Sequence, residues 1–218
     1  MIPSKIFQEQ NYLIVDNFIP KTLANFLYSY VKMSAQVSAT CGEKYGHEVY
    51  KHKPNMLGDW FDPMAPGVYT NYGDVMTETL LKDYQPKLEK IIDIDLVPTY
   101  SFLRLYQHGS ELKMHKDRPS CEISVTLCLG YDSNYNWPMY VEAKPIELEP
   151  GDIIVYKGEN LKHGRDVFKG QNHAQCFLHY NDKNGPFKET NKYDLRPHLG
   201  LPAEFNTSTK LYLTEEYD

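Results

Sequence analysis

Hydrophobic and polar positions follow two different periods along this chain. Residues 11–15 form a short apolar run that reads as a strand. From about Lys21 to Met33 the spacing becomes helical, with Leu23, Phe26, Leu27 and Tyr30 on one side and Pro20 just before the first turn, where proline is tolerated. Residues 41–74 break both periods. Pro54, Pro63 and Pro66, several glycines, and Trp60, Phe61, Tyr69 and Tyr72 predict a long loop with aromatic anchors. Such loops inside compact domains are uncommon and often functional. A second helix is predicted from Val75 to Ile92, with Met76, Leu80, Leu81 and Tyr84 on one face. Pro86 lies inside it and should kink or split it.

From Val97 onward, strand signals dominate. Residues 99–106, 111–115, 122–131, 138–143, 145–149, 152–156, 163–168 and 174–180 are runs rich in β-branched, aromatic and apolar residues, separated by Gly, Pro, Asn and Asp. Such closely spaced runs predict an antiparallel sandwich or jelly roll. The chain therefore reads as one domain, mostly β with flanking helices. Residues 1–96 form a helical and loop lead-in, 97–181 the jelly-roll core, and 182–218 a polar tail expected to wrap the surface.

Charge narrows the function. There are 23 Lys+Arg against 29 Asp+Glu, a net charge of −6, so the broad basic footprint of a nucleic-acid binder is missing. Arg104, Lys113, Lys116 and Arg118 make one locally basic stretch, which reads as a solvated strand face. No basic segment followed by a sustained apolar run opens the sequence, and no stretch approaches the ~18 apolar residues of a membrane span. A cytoplasmic protein that neither spans a membrane nor binds nucleic acid is the expectation. Cys41, Cys121, Cys128 and Cys176 include no CxxC pair and read as mostly buried, reduced thiols. The 18 tyrosines against 9 phenylalanines suggest half-buried aromatics on sheets and cleft walls.

The candidate chemistry begins at His115-Lys116-Asp117. Residues two apart on a strand project to the same face, so this imidazole and carboxylate could grip one metal ion. A surface turn carrying a His and an Asp is the competing reading. Downstream, Glu149-Pro150-Gly151-Asp152 forms a turn, IIVY a strand, and His163 arrives on a separate strand. Two His and one carboxylate occupy one face of an octahedral ion and leave three positions open, the arrangement of non-haem Fe(II) oxygen chemistry. Of the other histidines, His47, His52 and His198 read as surface residues, His108 as a turn residue, and His179 as a hydrogen-bonded core residue.

The run from Tyr106-Gln107-His108-Gly109 through HxD, an apolar strand and PGD to His163 resembles the Fe(II)/2-oxoglutarate-dependent oxygenases, in the style of their prolyl 4-hydroxylase-like branch. The similarity spans about residues 100–181, and the opening YLIVDNFIP with its helix resembles that branch's lead-in. The resemblance implies a double-stranded β-helix core preceded by N-terminal helices. It also implies Fe(II) on His115, Asp117 and His163, and 2-oxoglutarate bound through its 2-oxo and 1-carboxylate groups and decarboxylated to succinate. Ascorbate would serve as reductant. The product would be a hydroxylated C–H bond, first of all on a peptide or protein side chain such as proline, then on a free amino acid or small metabolite, and third, given the missing basic stripe, on a nucleic-acid base.

Two departures stand out. Trp137-Pro138-Met139-Tyr140 replaces the family's frequent glycine pair. Asn172-His173-Ala174-Gln175 stands where the base gripping the far carboxylate of 2-oxoglutarate usually lies. Arg165, two residues after His163 on the same strand face, is the first candidate anchor, with Arg104 and His173 as rivals. Tyr106 is expected to line the co-substrate pocket. The other function classes are a cupin-like metal module or isomerase without 2-oxoglutarate chemistry and an interaction domain in which the His and Asp are structural.

Overall fold

A computed structural model describes residues 2–52, 54–188 and 190–207. Three helices come early: α1 (Pro3–Gln10), α2 (Lys21–Tyr45) and α3 (Val75–Ile92). The strands are β1 (Tyr12–Val15), β2 (Tyr69–Tyr72), β3 (Leu96–Gln107), β4 (Leu112–His115), β5 (Ile123–Asp132), β6 (Met139–Val141), β7 (Lys144–Ile146), β8 (Ile153–Tyr156), β9 (His163–Arg165) and β10 (Asn172–Asp182). They form a large sheet in the order β1-β8-β5-β10-β3-β2 and a small one in the order β4-β9-β6-β7. Every pairing between these strands is antiparallel. Among the described residues, no helix is long and apolar enough to cross a membrane.

The large sheet buries its two faces differently. In β5, Ile123, Val125, Leu127 and Leu129 join the main core with Leu27, Val31, Leu81, Leu88 and Ile92 from the helices. The alternate positions, Ser124, Thr126 and Cys128, turn toward the small sheet. Both faces of β5 are buried, yet only its helix-facing one is uniformly apolar. The inner face is thus free to carry polar chemistry while the helices supply the stabilising hydrophobic layer.

Several sequence expectations change. The helix expected to end near Met33 runs on to Tyr45, burying Val31, Ala35 and Ser38. Ala35 and Ser38 allow close packing but give little hydrophobic signal. The expected loop 41–74 shrinks accordingly, and its end becomes β2, paired with β3. The second helix has the expected bounds, with Asp74 accepting hydrogen bonds from the amides of Met76 and Thr77 at its N-cap. It passes unbroken through Pro86, because Leu80 and Leu81 before it and Leu88 and Ile92 after it are anchored in one core. α1 has no counterpart in the sequence reading.

The tail does more than wrap the surface. Asp194 and Arg196 are buried. Arg196 pairs with Glu78 of α3 at 2.6 Å and donates to the carbonyls of Thr99, Tyr193 and Leu201. Residues 208–218 of that expected tail lie outside the described residues. All four cysteines are free thiols.

Candidate active site

β4 and β9 are adjacent in the small sheet, with His115 opposite His163. Asp117 follows β4, and its amide donates to the Gly158 carbonyl at 3.0 Å. His115 Nε2 lies 3.6 Å and His163 Nε2 3.4 Å from Asp117 Oδ1. The metal-ligating atoms of the three residues all fall within 4.8 Å of one another.

Both imidazoles are oriented by the backbone. His115 Nδ1 lies 2.8 Å from the Lys113 carbonyl, and His163 Nδ1 lies 2.9 Å from the Leu161 carbonyl. A carbonyl only accepts, so each Nδ1 carries the proton and each Nε2 is left to offer a lone pair. Two such lone pairs and a carboxylate converging on one point repel one another unless a cation joins them. Extra protons on the imidazoles or a divalent metal would each serve, and the N/N/O donor set suits a non-haem Fe(II) ion.

Electrostatics show the same tension. Burial works to raise the Asp117 carboxyl, but the adjoining imidazoles of His115 and His163, wherever they take up a second proton, hold it well below the usual carboxylate range. Burial works to lower the His115 imidazole, but Asp117 and the Lys113 carbonyl raise it above its ordinary value.

The sequence reading missed two residues that support Asp117. Ser124 donates to its Oδ2 at 2.8 Å and lies 3.0 Å from His179 Nδ1. Gly158 packs so closely that a Cβ there would stand 2.2 Å from Asp117 Oδ2. Ser124 had a signal, since with Thr126 it forms the polar half of an alternation with Ile123, Val125 and Leu127. His179 is a buried, hydrogen-bonded core residue as expected, and burial pushes its pKa down to about 4.

A cavity of about 320 Å³ opens beside the three residues. Tyr100, Phe102, Phe177, Tyr156, Leu112 and Met139 supply much of its wall. Arg165, 5% exposed, lines it with a single hydrogen bond, from Nη1 to the Trp137 carbonyl at 2.6 Å. It has no ion pair among the described residues, and burial lowers its pKa. Arg104 also lines the cavity, but Asp62 neutralises it at 2.7 Å.

The other two co-substrate candidates stand elsewhere. Tyr106 is wholly buried in an apolar cluster with Trp137 and Phe168, its hydroxyl 3.5 Å from Arg104, and it does not line the cavity. His173 is stacked on Tyr131 at 5.3 Å, also behind the wall. Burial and the Arg165 charge push its pKa far down, so it supplies no cation. From the shortened loop, Met64 reaches the cavity and Asp62 reaches Arg104, while Trp60 packs on Tyr69 at 5.5 Å.

At the mouth, Tyr72 and Tyr100 stack at 4.9 Å, between Arg118 over Tyr100 and Arg196 over Tyr72. Asp194 binds Arg118 through both carboxylate oxygens and accepts from Tyr72. This clasp, built from loop, strand and tail, was absent from the sequence reading.

A helix-covered large sheet facing a small one, with the three residues at one end, is a double-stranded β-helix, a fold shared with 2-oxoglutarate/Fe(II) oxygenases of known structure. Among the solved structures similar to it is a Pseudomonas putida prolyl-4-hydroxylase, 12% identical, TM-score 0.56, covering 83% of this chain and 97% of that one. Another is HygX from Streptomyces hygroscopicus with nickel, 2-oxoglutarate and hygromycin B bound, 11% identical, TM-score 0.59, covering 84% and 87%. A third is a Trichoplax adhaerens prolyl hydroxylase in complex with a hypoxia inducible factor peptide fragment, 13% identical, TM-score 0.53, covering 84% and 88%. No protein-family model and no curated protein sequence matches the chain.

Proposed function

We propose that this protein is a 2-oxoglutarate- and Fe(II)-dependent dioxygenase that hydroxylates a C–H bond. His115, Asp117 and His163 would hold the iron, and Arg165 would anchor the far carboxylate of 2-oxoglutarate. One observation carries the reading: three convergent electron-pair donors share a cavity with a buried arginine that has no acidic partner among the described residues. A buried, unpaired guanidinium is costly, and a dicarboxylate that reaches it from the metal side removes that cost.

Iron bound there would supply dioxygen activation coupled to decarboxylation of the 2-oxo acid. The chain's own residues do the rest. The Lys113 and Leu161 carbonyls fix the imidazole tautomers, and Ser124 orients Asp117. Arg165 binds and aligns the co-substrate, while Tyr156, Leu112 and Met139 narrow the access of water to the cavity.

The proposed substrate is a peptide or protein side chain such as proline, supported by the peptide-bound and prolyl-hydroxylating proteins that share the fold. A small molecule is the second reading, favoured by the likeness to HygX, which holds hygromycin B. A cupin-like isomerase would leave Arg165 without a role. Anaerobic addition of Fe(II), ascorbate and 2-oxoglutarate should produce a weak visible charge-transfer band. Admitting air with a panel of peptides, amino acids and nucleotides should then release succinate, most strongly with the true substrate class. Metal binding with neither band nor succinate would overturn the proposal.

A further inference from the structure

Among the buried polar atoms without a hydrogen-bond partner, three fall on one stretch of β10: both amide atoms of Gln175, and Nδ1 of His173. Gln175 is wholly buried. Native interiors rarely leave such a group unpaired, and each case calls for an explanation.

Register places this side chain. Gln175 stands opposite Arg104 of β3, as Phe177 stands opposite Phe102 and His179 opposite Tyr100. Directly opposed residues of an antiparallel pair project to one face, and the other five of these six residues line the cavity. Gln175 therefore continues the row His179, Phe177 into the barrel interior, away from the mouth. Arg165 reaches the same depth. Its charge acts on Cys128, the partner of Gln175 on β5, and on His173, two residues back along β10. The Trp137 ring, over which Arg165 lies at 4.7 Å, packs edge-on against His173 at 5.5 Å.

We infer that Gln175 is a second binding residue for the distal carboxylate of 2-oxoglutarate, donating from Nε2 beside Arg165. The inference rests on the function proposed above. A carboxylate has about four acceptor sites. The Arg165 fork serves one edge and the Gln175 amide another. Arg165 retains N–H donors beyond the fork and the Trp137 carbonyl, and one of them can satisfy Gln175 Oε1.

The test compares two acids on the anaerobic Fe(II) protein by calorimetry. 2-Oxoglutarate carries the distal carboxylate, and 2-oxobutyrate offers the same 2-oxo acid head without it. Gln175→Leu should raise the 2-oxoglutarate Kd by about tenfold or more and leave the 2-oxobutyrate Kd unchanged. Gln175→Met, unbranched, repeats the measurement should the leucine variant fail to fold. The Tm of the variant without 2-oxo acid should hold or rise, since an unpaired amide has been removed. An unchanged 2-oxoglutarate Kd would mean that water satisfies the amide, and equal weakening of both acids would mean a packing role; either overturns the inference. Wild-type protein that binds Fe(II) but neither acid would instead bring down the proposed function itself.

Discussion

The two arginines of the cavity should respond to the same substitution in opposite ways. Arg165→Met removes a guanidinium with one hydrogen bond and a cation–π contact to Trp137. Together these contribute about 1–3 kcal/mol. Against them stands the cost of keeping a charge at 5% exposure with no acid beside it among the described residues. The terms nearly cancel, so the Tm of the ligand-free protein should move by no more than about 4 °C in either direction. Binding is another matter. Losing the cationic partner of a buried carboxylate costs ~3–5 kcal/mol, which is roughly two to three and a half orders of magnitude in the 2-oxoglutarate Kd. Arg104→Met does the reverse. It strands Asp62, whose side chain is 4% exposed, so it should cost ~3–5 kcal/mol of stability and lower the Tm by about 10 °C. Calorimetric titration of anaerobic Fe(II) protein and thermal unfolding measure both quantities. Iron content should stay equimolar in Arg165→Met. If that variant binds 2-oxoglutarate normally while Arg104→Met abolishes binding, the anchor is Arg104 and the assignment fails.

Other variants test the metal centre and the frame. Asp117→Ala and His163→Ala should lose equimolar iron, and Ser124→Ala, which frees Asp117 Oδ2, should weaken iron affinity roughly tenfold; metal analysis after dialysis reads all three. Glu78→Gln should cost ~3–5 kcal/mol in urea unfolding, because the Arg196–Glu78 pair is almost wholly buried. His179, lowered from 6.5 to about 4, stays neutral in the fold while the unfolded chain takes a proton. That contribution to stability is complete above the unfolded pKa and is lost as pH falls through the window between the two values. By pH 5 the loss is about 2 kcal/mol, and His179→Gln should flatten that part of the pH profile. An unchanged slope would show that His179 does not titrate this way.

What the sequence determined by itself is what depends on local periodicity and ligand type. The strand runs from residue 99 to 180 each match a strand of the structure, because alternation is a property of neighbours in the chain. The candidate residues His115, Asp117 and His163 were readable because their order and chemistry are written along the chain. The length of α2 was not, since Ala35 and Ser38 contribute through close packing and carry almost no hydrophobic signal. Only the tertiary structure separated the two arginines. Arg104 and Arg165 are equivalent as letters, and the partner that distinguishes them, Asp62, comes from a loop 42 residues away in sequence. The same holds for Gly158 against Asp117, for Asp194 clasping Arg118, and for Arg196 buried on Glu78. Each depends on which distant segments the sheets bring within a few ångströms, and that distance is set by strand register and layer packing.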